Sequence, residues 1–133
     1  SIAYELDPCD AAKANELAAK ADGSEYTKGE FEDLQSIVQG IVGNKGRVHV
    51  VFGEPIRGEF TTAEALAAEI DRQIHNNYRL HATNLAAAGQ DNTEGLAMLE
   101  TRLSQVDGAA RDIIKVMYAK PVENFNASQV EAN

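Results

Sequence analysis

Gly46-Arg-Val-His-Val-Val-Phe-Gly-Glu-Pro55 is the stretch whose reading decides the fold class. From Arg47 to Phe52 the residues alternate. Val48, Val50 and Phe52 share one face, and His49 and Val51 share the other. A period of two marks a β-strand. The second face is not fully polar, which predicts an interior strand covered on both sides. Gly53 ends the strand, and Pro55, which has no N–H to give to a ladder, forbids its continuation. Upstream, Asn44-Lys45-Gly46 reads as the turn that feeds it.

Working towards the N-terminus, Ile2 to Leu6 reads as a second, short strand. Asp7-Pro8 opens a helix, with Asp7 as cap and Pro8 at the first helical position, where no N–H is needed. Ala11 to Ala21 are strong helix formers, and Asp22-Gly23-Ser24 stops them. Thr27-Lys-Gly-Glu30 is a capping box. It precedes Phe31, Leu34, Ile37, Val38 and Ile41, which fall on one helical face. Roughly forty residues of helical pattern therefore separate the two strands, a spacing that predicts a parallel crossover rather than a hairpin.

Towards the C-terminus, Thr61-Thr-Ala-Glu64 is a second capping box, and Leu66, Ile70, Ile74 and Tyr78 form the stripe behind it. Asp91-Asn-Thr-Glu94 opens another helix, with Leu96, Leu99, Leu103 and Val106 inward. A last helix follows Asp107-Gly108, carries Ile113, Ile114, Met117 and Tyr118, and is expected to end before Pro121. The expected fold is α/β: a helix-rich unit over residues 1–122 with about two parallel strands, then a polar tail over 123–133. A two-stranded sheet is marginal alone. Further strands are expected from upstream sequence or from another copy of the chain.

Composition narrows the function. The 133 residues match one ordinary domain. Leu, Ile, Val and Phe number 30 and Ala 21, so the core should hold close-packed helices. The net charge of −9 argues against nucleic-acid binding, which needs a basic surface. It equally opposes purely electrostatic binding to anionic lipid. The one cysteine, Cys9, allows no internal disulfide and fits a reducing compartment. Asp7 and Asp10 flank it and oppose a thiolate. No run is long and apolar enough to span a bilayer, and no signal peptide is visible. The start at Ser1, already in a strand pattern, reads as a processed chain or a cloned fragment.

Candidate chemistry is sparse. His49, His75 and His81 have no second His or Cys at metal-ligand spacing. His75 and Asp71 sit four apart on one helical face, the spacing of a surface ion pair. No nucleophile elbow, phosphate loop or dinucleotide fingerprint is present. Lys45 and Arg47 make a small basic turn that could meet a phosphate.

An ordered series of segments resembles the C-terminal portion of the bacterial glycerol-phosphate and 1-acylglycerol-phosphate acyltransferase family. Ser1-Ile-Ala-Tyr-Glu-Leu-Asp-Pro-Cys-Asp10 is similar to the segment just after the family's fourth motif. Arg47-Val-His-Val-Val-Phe-Gly-Glu-Pro-Ile56 resembles its later core strand with a Gly-Glu-Pro-Ile exit. Glu69-Ile-Asp71, Asn77-Tyr-Arg-Leu80 and Met117-Tyr-Ala-Lys-Pro-Val122 resemble later segments of bacterial members. The resemblance implies a parent that moves a fatty acyl group from acyl-CoA or acyl carrier protein to a glycerol-phosphate hydroxyl, peripheral on the cytoplasmic membrane face.

The family's His-x4-Asp motif and its Glu-Gly and Arg phosphate motif are absent from this sequence. No catalytic residue, cofactor or metal is therefore expected here. Ser1 and Ile2, at the end of the fourth motif, and Lys45 and Arg47 are the candidate substrate-binding residues. The rival expectation is an acidic helical module that binds a protein partner and has no enzymatic parent. The fragment reading predicts an exposed strand edge open to self-association; the module reading does not.

Overall fold

The computed structural model describes residues 1–23 and 26–131. In chain order the elements are β1 (Ile2–Tyr4), α1 (Asp10–Ala21), α2 (Glu32–Val42), β2 (Val48–Val50), α3 (Ala63–Asn77), α4 (Ala82–Ala87), α5 (Thr93–Leu103) and α6 (Gly108–Glu131). The helix-rich α/β composition matches the sequence. The strand direction does not. β1 and β2 pair antiparallel, with Ile2 opposite Val50, Ala3 opposite His49 and Tyr4 opposite Val48. Backbone bonds lengthen the ribbon, from Val51 N to Ser1 O (2.9 Å) to Leu6 N to Lys45 O (3.0 Å). Two helices, α1 and α2, lie between the strands in place of the single helix of a βαβ crossover, so the length of the gap does not set the strand direction.

The core lies among the helices. Ala14, Leu99, Leu103, Val106, Ala110, Ile114 and Tyr118 form its buried cluster, with Ala11, Ala18, Ala87 and Ile113 packed against it. These residues belong to α1, α5, α6, the short α4 and the loop before α6, so α1, α5 and α6 meet through alanines and branched side chains. Leu99, Leu103 and Val106 point inward as their spacing predicts, whereas Leu96 is exposed.

Below β1, α4 acts as a clasp that the sequence pattern does not announce. His81 Nε2 donates to Ala3 O (3.2 Å), Thr83 Oγ1 to Glu5 O (2.6 Å), and Asn84 Nδ2 to Tyr118 O (3.0 Å). Each of these three side chains is buried and satisfied, so α4 joins the strand to α6.

Several local expectations shift. Thr27–Glu30 does not cap a helix: α2 begins at Glu32, whose carboxylate accepts from Gly29 N (3.0 Å) and from the Tyr26 hydroxyl. The next two caps form one residue later than expected. Thr62 accepts from Ala65 N (3.1 Å), and Asn92 accepts from Gly95 N (2.8 Å). Asp7 accepts from Cys9 N (2.8 Å), and α1 begins at Asp10. The expected stop at Asp22–Ser24 is met at Asp22, the C-cap; Ser24 lies outside the described residues.

The largest shift is at Pro121, which sits inside α6 rather than beyond it. Tyr118 and Val122, on either side of Pro121, are both buried. Their packing outweighs the ~3 kcal/mol that an interior proline costs. The segment expected as a frayed tail is therefore helical as far as Glu131, and Ala132 and Asn133 lie outside the described residues.

Candidate functional site

Two kinds of site are present: a buried ionic knot and an open apolar surface. The knot fastens the turn at residues 7–10. Asp10 is fully buried at the start of α1, where the helix dipole favours its charge. Arg102 of α5 grips it, with Nε donating to Oδ2 (3.0 Å) and Nη2 donating to Oδ1 and to Asp7 O (3.0 Å). Tyr118 of α6 donates its hydroxyl to Asp10 Oδ2 (2.8 Å) and accepts from Asp7 N (2.9 Å). Burial pushes the Tyr118 phenol well above its ordinary range. A carboxylate with every lone pair engaged by Arg, Tyr and backbone is a structural anchor rather than a base.

The sequence-expected binding residues are also engaged. Ser1 donates its amino group to Val51 O (2.8 Å) and its hydroxyl to Asn77 O (3.2 Å). Ile2 is exposed on the ribbon. Lys45 Nζ donates to Ile41 O (3.0 Å) and Gly43 O (3.1 Å), closing the end of α2. Arg47 wraps the buried Glu5: its backbone N–H reaches Oε2 (2.9 Å), Nε reaches Oε1 (2.9 Å), and Nη2 bonds Oε1 and reaches Glu94 (3.4 Å). Lys45 and Arg47 thus lie two residues apart in sequence, but both direct donors at the protein itself. Arg47 also borders an open cleft with His49, Arg79, His81 and Glu94. His75 and Asp71 border another groove without bonding to each other.

Arg47 makes Glu5 pH-sensitive. Its hydrogen bonds hold the Glu5 carboxyl below the ordinary value near 4.5, against the opposing effect of burial. The folded pKa is thus lower than the unfolded one. As pH falls, the unfolded chain takes up the proton first. The stabilisation is whole above about pH 4.5 and is lost as pH falls through the depressed value. Thermal unfolding is expected to show this acid loss, and Glu5→Gln is expected to be less stable at pH 7 with a shallower acid loss. An equally steep loss in that variant would contradict the assignment.

The open surface lies on β2, α2 and α3. The interior position predicted for the strand is not observed. Val48, Val50 and Phe52 are 48%, 50% and 93% exposed, and the sheet has only two strands, so the outer edge of β2 has no neighbour among the described residues. Leu66, Ile70 and Ile74 of α3 are also partly exposed, as are Ile56 and Phe60 in the loop before it. Most conspicuous is α2, where Phe31, Leu34, Ile37, Val38, Ile41 and Val42 all face solvent. A run of large apolar side chains exposed along one helix face is the kind of surface that interaction sites use.

No group of three or more His, Cys, Asp or Glu side chains that could hold a metal ion occurs among the described residues. No helix there is long and apolar enough to cross a membrane. No family model, curated protein or solved structure matches the chain.

Proposed function

We propose that this chain is the C-terminal, by itself non-catalytic part of a bacterial glycerol-phosphate-type acyltransferase. The whole enzyme would move a fatty acyl group from acyl-CoA or acyl carrier protein to a glycerol-phosphate hydroxyl, in phospholipid biosynthesis at the cytoplasmic membrane face. The observation that carries the reading is the uncovered outer edge of β2, with Val48, Val50 and Phe52 exposed beside it. An apolar ribbon of two strands is the margin of a larger sheet. The catalytic sheet of the parent is the element that would complete it, with α3 covering the join. The ordered resemblance from Ser1 to Val122 supplies the family, and Ser1 and Ile2, at the end of the ribbon, would border the acyl site.

A second reading is an acidic helical protein-interaction module with no enzymatic activity. The closed core of α1, α4, α5 and α6 favours it, because that core needs no further strands.

Acyl transfer discriminates between them. With acyl-CoA or acyl carrier protein as donor and glycerol phosphate or its 1-acyl ester as acceptor, the longest in-frame gene product is expected to turn over and the isolated 133-residue chain is not. Turnover by the isolated chain, or none by the longest product, would overturn the first reading.

A further inference from the structure

The helix α2 is seated with its apolar side outward. Its inner side is made of the half-buried Gly40 and Gly43, with Ser36 on the same helical face at the exposed rim. Cys9 Sγ donates to Ser36 O (3.6 Å), and a Cβ on Gly40 would lie 3.9 Å from the same sulfur. At Gly43 a Cβ would lie 2.4 Å from Pro8 Cβ, so only glycine permits this approach. At 100° per residue, Leu34, Ile37, Val38 and Ile41 lie on the opposite side. Those residues are between 49% and 72% exposed. A helix that tucks its small residues inward and presents Leu, Ile and Val outward is built for a partner.

We infer that the partner on α2 is a second copy of this chain, packed antiparallel about a twofold axis. Charge favours that arrangement. At the N-terminal end of α2 Glu30, Glu32 and Asp33 outnumber Lys28, which pairs with Asp33 (2.7 Å), while Lys45 and Arg47 follow its C-terminal end. Antiparallel pairing sets the acidic end of each helix against the basic end of the other, twice by symmetry, and also aligns the dipoles favourably. Extent favours it as well: Phe31, Leu34, Ile37, Val38, Ile41 and Val42, each between 49% and 73% exposed, give each copy one continuous apolar face to bury against the other.

A lipid surface fits less well, because the start of α2 is acidic and its polar side, with Gln35, Ser36 and Gln39, carries no Lys or Arg. The outer edge of β2 remains free for the sheet of the proposed parent. The α2 pair does not depend on that parent being an acyltransferase.

Light scattering during size-exclusion chromatography tests the inference on the chain as it stands. The expected particle is a dimer, twice the 14.3 kDa of one chain. Ile37→Glu with Ile41→Glu is expected to weaken the dimer by about a hundredfold or more. Both side chains are already exposed, so circular dichroism should be unchanged. If that variant misfolds, Glu30→Lys decides: at this exposed position before α2 it should weaken the dimer, and raised salt should restore it.

A monomer at micromolar concentration would overturn the inference. So would a dimer lost on Phe52→Glu but not on the α2 substitutions, which would place the contact on the strand edge. Sedimentation with phosphatidylethanolamine–phosphatidylglycerol vesicles, abolished by the α2 substitutions, would also overturn it by making lipid the occupant.

Discussion

Arg102→Ala is expected to destabilise the chain by about 3–5 kcal/mol, the usual cost of removing one partner from a buried ion pair. Asp10 has no exposed surface, and Arg102 supplies two of its hydrogen bonds as well as one to Asp7 O. Without the guanidinium, a buried carboxylate keeps only the Tyr118 hydroxyl and Ala11 N–H. Domains of this size have about 5–15 kcal/mol in total, so the loss is a large part of the margin. In urea the midpoint should fall by about 2 M, for a slope near 1–3 kcal/mol/M. Asp10→Asn combined with Arg102→Met should cost less than Arg102→Ala, because no charge is left alone. A midpoint within experimental scatter of the parent chain would show that the knot is not the anchor described.

Gly95→Ala reverses the usual sign of its class. Within α5 the exchange would ordinarily gain about 1 kcal/mol from helix propensity. Here a Cβ would lie 2.0 Å from Ala82 O, 2.3 Å from Ala82 C and 2.9 Å from Thr83 N. Those atoms are backbone at the start of α4 and cannot rotate away. To relieve the clash, α4 must move off α5, pulling at His81, Thr83 and Asn84, whose bonds hold β1 and α6. The expected cost is about 3 kcal/mol or more, at the upper end for single substitutions. Chemical denaturation measures it directly, and exchange of the α4 amides should quicken. A stabilised Gly95→Ala variant would mean that the two helices are not in this contact.

The period-two pattern at Val48–Phe52 and the 3.6-residue stripes in α3, α5 and α6 made the existence and type of these elements legible. Three things were not. Strand direction is set by how the intervening elements pack, and a count of residues between strands does not supply it. Burial depends on what else is present: the stripe on α2 reads as core in sequence but meets no covering element among the described residues. Pro121 is a helix breaker by propensity, yet the packing of Tyr118 and Val122 overrides it.

At the site, Lys45 and Arg47 were visible as two cations in one turn, but not that Arg47 would reach back to Glu5 and Lys45 to Ile41 O. The Asp10–Arg102–Tyr118 knot joins residues far apart in the chain. The one available signal was Arg102 beside Leu103 on an inward-facing stripe. The short helix α4 hid in a run of Ala, Thr and Asn with no periodicity to betray it.

The frame upstream of Ser1 in the source gene tests the central claim most directly. Sequencing should find a continuous reading frame that encodes His-x4-Asp and then Glu-Gly with a nearby Arg, the catalytic and phosphate-binding motifs that would belong to the completing sheet. A start codon directly before Ser1, or an upstream frame without those motifs, would contradict the acyltransferase reading and leave the interaction module in its place.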